Sequence, residues 1–195
     1  MAEKLGLYVH IPFCRSKCDY CDFYSLAGKE GRMDDYQKAL LAHMKETAPL
    51  TRGWQVDTVY FGGGTPTLLS EMQLERLFSM TARALRPDSE TEISIEANPE
   101  TLTVPKIALL RSFASRISLG VQSFDARFRA TLGRDCEQAA LERAIERVAA
   151  ARFPHWSCDL IYAIPGQEPA DFERDLARAV ALGIDHLSCY SLTPE

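Results

Sequence analysis

Cys14, Cys18 and Cys21 follow one another as C-x3-C-x2-C just after an apolar run near the N-terminus. Three thiolates at these offsets can converge on one point, leaving a tetrahedral or cubane metal centre one protein ligand short. Structural zinc sites fill all four positions with Cys or His, and the nearest candidate for a fourth ligand is His10, with Ile11, Pro12 and Phe13 between. A centre left open is the catalytic or cofactor-binding kind. A zinc module closed by His10 is the alternative.

Further unusual residues stand where strand-like runs end, the place where parallel α/β folds build their sites. Gly62-Gly63-Gly64-Thr65-Pro66 closes the second run. Its glycines let backbone approach a ligand, and N–H groups left free there can hold a carboxylate or other anion. A plain tight turn is the simpler reading. A phosphate loop is not, because the run lacks the Lys-Ser/Thr of a P-loop. Glu96 ends the third run and suits a ribose diol, with capping of the next helix as the alternative; Gln122 ends the fourth. Asp159 lies inside the apolar fifth run, where burial without a partner is costly. Arg134, after a short helix from Asp125 to Leu132, either answers a carboxylate or is a solvated surface charge.

Six apolar, β-rich runs must position these groups: Leu5 to Ile11, Val56 to Phe61, Glu92 to Ala97, Arg116 to Val121, Trp156 to Ile164 and His186 to Leu192. Helical patterns lie between them. Ser70 and Gln73 form a capping box ahead of Met72, Leu74, Leu77, Phe78 and Leu85. Glu168 to Leu182 opens with Pro169, puts Phe172, Leu176, Ala179 and Val180 on one face, and stops at Gly183. Tyr36, Leu40, Leu41 and Met44 mark one more helix, and Leu141, Ala144, Ile145 and Val148 another. Strict β-α alternation makes neighbouring strands parallel, and right-handed crossovers curl the sheet one way. A closed eight-fold barrel takes about 250 residues, so 195 residues predict a partial, six-stranded (β/α)6 arc as a single domain over 1–195. An open doubly wound sheet is the runner-up. The sequence ends just past the sixth run, which reads as a barrel truncated after its sixth strand, in a fragment of a longer protein.

The 22 basic and 27 acidic residues are scattered, which argues against nucleic acid or a membrane surface as partner. No apolar run approaches the roughly 20 residues of a membrane span, and no secretion signal precedes the first strand. A soluble, cytoplasmic protein is expected. In that compartment the six cysteines do not read as a disulfide framework. Cys136, Cys158 and Cys189 are dispersed, and the last two sit in strand-like runs where a buried thiol acts as a small apolar residue.

The cysteine motif, with Tyr20 before its last member, resembles the radical S-adenosylmethionine superfamily. Tyr8-Val9-His10-Ile11-Pro12-Phe13-Cys14, Gly62 to Thr67, Ile95 to Pro99, Leu119 to Phe124 and Asp159 to Tyr162 resemble the oxygen-independent coproporphyrinogen III oxidase family, in the same order. The resemblance implies a radical S-adenosylmethionine barrel in which Cys14, Cys18 and Cys21 hold a [4Fe–4S] cluster whose free iron takes S-adenosylmethionine. Gly63, Gly64 and Thr65 would meet its methionyl end, Glu96 its ribose, and Gln122, Arg134 and Asp159 its remaining polar edge, with Tyr8 and the backbone beside Tyr20 completing the set. The oxidases have a further cysteine two places after the third, where this sequence has Phe23, and a longer N-terminal extension. Both departures resemble the haem chaperone branch, which implies haem as cargo, a haem-recipient protein and an electron donor protein. Decarboxylation of porphyrin propionates is the alternative activity. Cys136 stands where relatives commonly place a histidine.

Overall fold

The computed structural model describes residues 3–193. Pro194 and Glu195, with which the expected domain ends, lie outside the described residues, as do Met1 and Ala2. The elements run β1 (Glu3–Ile11), β2 (Phe13–Cys14), β3 (Leu26–Ala27), α1 (Met33–Thr47), β4 (Trp54–Gly63), α2 (Glu71–Leu85) and β5 (Glu92–Ala97). They continue with α3 (Val104–Phe113), β6 (Arg116–Gln122), α4 (Ala126–Thr131), α5 (Gln138–Ala151), β7 (His155–Tyr162), α6 (Pro169–Ala181) and β8 (His186–Ser191).

Six strands form one sheet in the order β1-β4-β5-β6-β7-β8, and every neighbouring pair is parallel. The order follows the chain without reversal. A doubly wound sheet reverses at its switch point, so that runner-up is excluded and the sheet is a curled half-barrel with β1 and β8 as its edges. The second, two-stranded sheet pairs β2 with β3 in parallel; its two-residue strands are too short for a periodicity signal.

Side chains alternate across the sheet with period two, and the two faces differ in character. Val59, Phe61, Ile95, Ile117, Leu119, Cys158 and Leu160 face outward into the core beneath the helices. Their neighbours Tyr60, Glu96, Arg116, Ser118, Asp159, Ser188 and Tyr190 line a cavity on the inner face.

Local chemistry explains the helix bounds. Ser70 accepts a bond from Gln73 N, while the Gln73 amide oxygen accepts from Ser70 N, which completes the expected capping box. α3, which the sequence pattern did not single out, starts at Thr103, whose side chain accepts from Lys106 N. The run expected to reach Ile164 stops at Tyr162, because Ala163 takes a left-handed φ of 61° that a strand cannot continue. Met72 and Val180 do not share the buried faces expected of them and are exposed. All six cysteines are free thiols, but only Cys136 and Cys158 are buried. Burial pushes the Cys136 and Cys158 thiols up to about 11 and about 12. Cys189 is exposed, since β8 is an edge strand without a covering neighbour. Among the described residues no helix is long and apolar enough to cross a membrane.

Candidate functional site

The cysteine loop is closed at its base before any ligand is considered. Phe13 and Cys14 pair with Leu26 and Ala27, Leu26 N donates to Pro12 O at 2.6 Å, and Gly28 N donates to Cys14 O at 3.2 Å. Lys17 straps the interior of the loop, its ammonium donating to Phe23 O at 2.6 Å and Ser25 Oγ at 3.1 Å. Cys21 N donates to Cys18 O at 3.1 Å, closing a tight turn between the last two cysteines. Thr65 Oγ1 donates to Cys14 Sγ at 3.7 Å. The far side of the loop docks on the opposite wall. Asp19 N donates to Leu132 O at 3.2 Å, and Tyr20 packs against the buried group Phe128, Leu132, Ile161 and Ile164.

The three thiols line one cavity wall. Among the described residues no group of three His, Cys, Asp or Glu side chains is arranged to hold a single metal ion. His10 is committed elsewhere: Nδ1 bonds the Tyr8 hydroxyl at 3.1 Å and Nε2 the Tyr24 carbonyl at 3.1 Å. With both ring nitrogens engaged, His10 does not serve as the fourth ligand of a zinc module.

The glycine loop serves close approach more than open N–H groups. Gly64 N donates to Ile11 O at 2.8 Å and Thr65 N to Phe13 O at 2.7 Å, while Gly63 N donates to Glu96 Oε2 at 3.0 Å. The expectation of free amides there is therefore corrected: β1, β2 and Glu96 take them. A Cβ on Gly64 would stand 2.6 Å from Phe13 O, and one on Gly63 2.4 Å from the His10 ring. Only glycine lets these strands meet, and Gly63 also needs its φ of 115°.

Glu96 is not a helix cap. It accepts from the Tyr60 hydroxyl at 2.8 Å as well as from Gly63 N, and it faces the cavity. Burial pushes its carboxyl up, and the two donors partly offset that. Asp159 is raised by burial in the same way, against bonds from Ser188 and from Ser118 Oγ at 3.2 Å.

Gln122 and Arg134 complete the far wall. Gln122 is buried at a φ of 66°, where the pairing of β6 with β7 slips between Gly120 and Gln122. Arg134 is only 8% exposed, which rules out a solvated surface charge. It donates to Gly120 O at 2.9 Å and reaches the Cys18 thiol and the Tyr20 hydroxyl, while its Nε has no partner. The loop bearing Arg134 is clamped by the fully buried Arg129, which donates to Ser123 O at 2.8 Å and Gln138 Oε1 at 2.6 Å.

The cavity holds about 620 Å³, within the range of small-molecule sites. Cys14, Cys18, Cys21, Tyr20, Gly63, Gly64, Thr65, Glu96, Gln122, Arg134 and Asp159 all line it. Tyr8 does not; it is 58% exposed on edge strand β1 and stacks on Tyr60 at 6.0 Å. Sequence reasoning missed Tyr60, Lys17, Arg116 and the bond from Asp19 N to Leu132 O. The polar residues at every second position of the strands were the signal that could have found Tyr60 and Arg116.

Comparison with known proteins matches residues 8–179 to the Radical SAM superfamily. The chain is 37% identical over 190 residues to the haem chaperone HemW of Bacillus subtilis (strain 168), covering 96% of this chain and 50% of that protein. It is 39% identical over 199 residues to the haem chaperone HemW of Mycobacterium tuberculosis (strain ATCC 25618 / H37Rv), covering 99% and 50%. The solved coproporphyrinogen III oxidase HemN from Escherichia coli, described as a radical SAM enzyme, superposes with a TM-score of 0.89 at 31% identity, covering 98% of this chain and 44% of that one. The chain thus spans about half the length of the relatives it matches.

Proposed function

The chain belongs to the Radical SAM superfamily, and on that premise we propose that it is the radical S-adenosylmethionine core of a haem-handling chaperone. Cys14, Cys18 and Cys21 would hold a [4Fe–4S] cluster, and the residues around them suit it. The donors are three free thiols on one strapped loop that opens on the cavity, with His10 bonded elsewhere. When bound, the cluster and S-adenosylmethionine would supply one-electron chemistry at a sulfonium centre.

The chain's own groups would position that cofactor. The glycine edge at Gly63, Gly64 and Thr65 offers close backbone approach to the methionyl end. Glu96 offers a carboxylate that Tyr60 and Gly63 already aim, fitting a ribose diol. Arg134 brings a buried guanidinium with an unpartnered Nε, a ready counter-charge for a carboxylate. Gln122 and Asp159 supply the remaining polar edge, and Tyr20 holds the loop against the far wall. Tyr8, exposed at the edge, would contribute only once a ligand extends to it.

The observation that carries the chaperone reading is Phe23, 69% exposed, two places after Cys21 where the oxidases carry a further cysteine. Haem would be the cargo, passed to a recipient protein, with an electron donor protein supplying reductant. Full-length protein, reconstituted anaerobically and titrated with haem, is expected to retain haem stably beside an iron–sulfur chromophore. Decarboxylation of coproporphyrinogen III without haem retention would overturn the reading in favour of the oxidase. Cys18→Ala is expected to abolish the chromophore, because two remaining thiolates cannot hold the cubane; iron and sulfide analysis checks this.

A further inference from the structure

The residues assigned to the cofactor occupy the cysteine loop and the C-terminal ends of the strands, yet the same cavity continues to the strands' opposite ends. There Arg116, the first residue of β6, lines it. Among the described residues the cations lining the cavity are Lys17, Arg116 and Arg134. Lys17 is spent on the loop strap, and Arg134 is bonded to Gly120 O beside the Cys18 thiol. Arg116 has no comparable employment.

Its bonds are loose. A guanidinium carries five N–H donors, but Arg116 makes one long bond, from NH2 to Ser157 Oγ at 3.4 Å. Its ion pair with Glu92 Oε1 is 3.6 Å long, and that oxygen already accepts from Ser94 Oγ at 2.6 Å. The Arg116 side chain is 23% exposed, so most of it is withdrawn from water while its fork stays under-filled. A planar fork in that condition matches a carboxylate bidentately. Hydroxyls stand alongside: Ser157 Oγ donates to Ser118 Oγ at 2.9 Å, which donates on to Asp159 at 3.2 Å. Asp159, a further anion on this wall, is held by Ser118 and Ser188.

We infer that Arg116, backed by the buried Ser157, forms a second subsite in the cavity, apart from the cysteine loop, that recognises a carboxylate of the ligand the protein handles. The inference rests on the haem reading, in which that carboxylate is a propionate of the tetrapyrrole. Arg116 then decides specificity: it distinguishes free-acid tetrapyrroles from those whose acids are masked. Glu92 is its built-in competitor.

The test uses the full-length, anaerobically reconstituted protein and two probes, haem and haem dimethyl ester, followed by absorbance titration. Wild type should prefer haem by about tenfold, the scale of one charge-assisted bond. Arg116→Gln should erase the preference by weakening haem alone, with iron and sulfide content unchanged. Glu92→Gln, at a half-exposed site, should widen the preference by freeing the guanidinium. Should Arg116→Gln fail to fold, Glu92→Gln decides, and a preference that does not widen rejects the subsite. Equal wild-type affinity for the two probes overturns the subsite and leaves the haem reading standing. Binding of neither probe overturns both.

Discussion

Two buried apolar regions divide the labour in this half-barrel. The larger lies between the outer face of the sheet and the helices, and includes Val59, Phe61, Leu74, Leu77, Leu110, Ile117, Leu119, Leu141 and Leu160. The smaller comprises Phe128, Leu132, Ile161 and Ile164, with Tyr20 and Leu192 packed on it. At about 1.5–3 kcal/mol per fully buried large side chain, the first can hold a domain together, whereas the second can dock one loop. The loop it docks carries the three site cysteines. The base of that loop, through Phe13 and Leu26, belongs to the larger region, whereas its far side rests on the smaller one, so the docking can be disturbed apart from the main core.

The strongest challenge to that division is Leu119→Ala, in the larger region and fully buried. It should cost about 2–5 kcal/mol, read as a lower urea midpoint, while the surviving folded protein still loads iron and sulfide. A folded variant that cannot load them would show the two regions to be one. Gly133→Ala attacks the smaller region. Gly133 sits at a φ of 64°, and a Cβ there would stand 2.4 Å from Asp19 Oδ2, so the substitution pushes the cysteine loop off its dock. The backbone strain is about 1–2 kcal/mol, but cluster loading should fall much further than stability does. Adding Asp19→Ala should restore loading, as measured by iron and sulfide content after reconstitution; no recovery would mean that the loop is held some other way. The smallest effect belongs to Ser70→Ala, at the rim of the larger region and outside the cavity lining. Loss of its capping box should remove about 1 kcal/mol, visible as a lower Tm, with loading unchanged.

Much of the frame was legible because its signals are local. The six runs, the capping box at Ser70 and the stop of α6 before Gly183 depend on residues close in sequence. The site was legible through residue types that are costly to bury, such as Asp159 and Arg134, and through the cysteine spacing. What escaped depends on pairing between distant segments. Nothing near Gly63 or Gly64 announces that Glu96 and β1 claim their amides. Tyr60, read inside an apolar run, looked like core until the curl of the sheet set alternate residues facing inward. Lys17 looked like an ordinary loop charge, and only the folded loop brings the Phe23 carbonyl to it. Cys189 and Val180 failed as core residues because apolar pattern identifies a face without identifying what covers it.

Gln122 carries one more implication. A non-glycine residue buried in the left-handed region stores strain of about 1–2 kcal/mol, and here the tension is wound in as the chain collapses. The bend is set before any ligand arrives, so the wall at this point keeps one shape and a ligand must fit it as built.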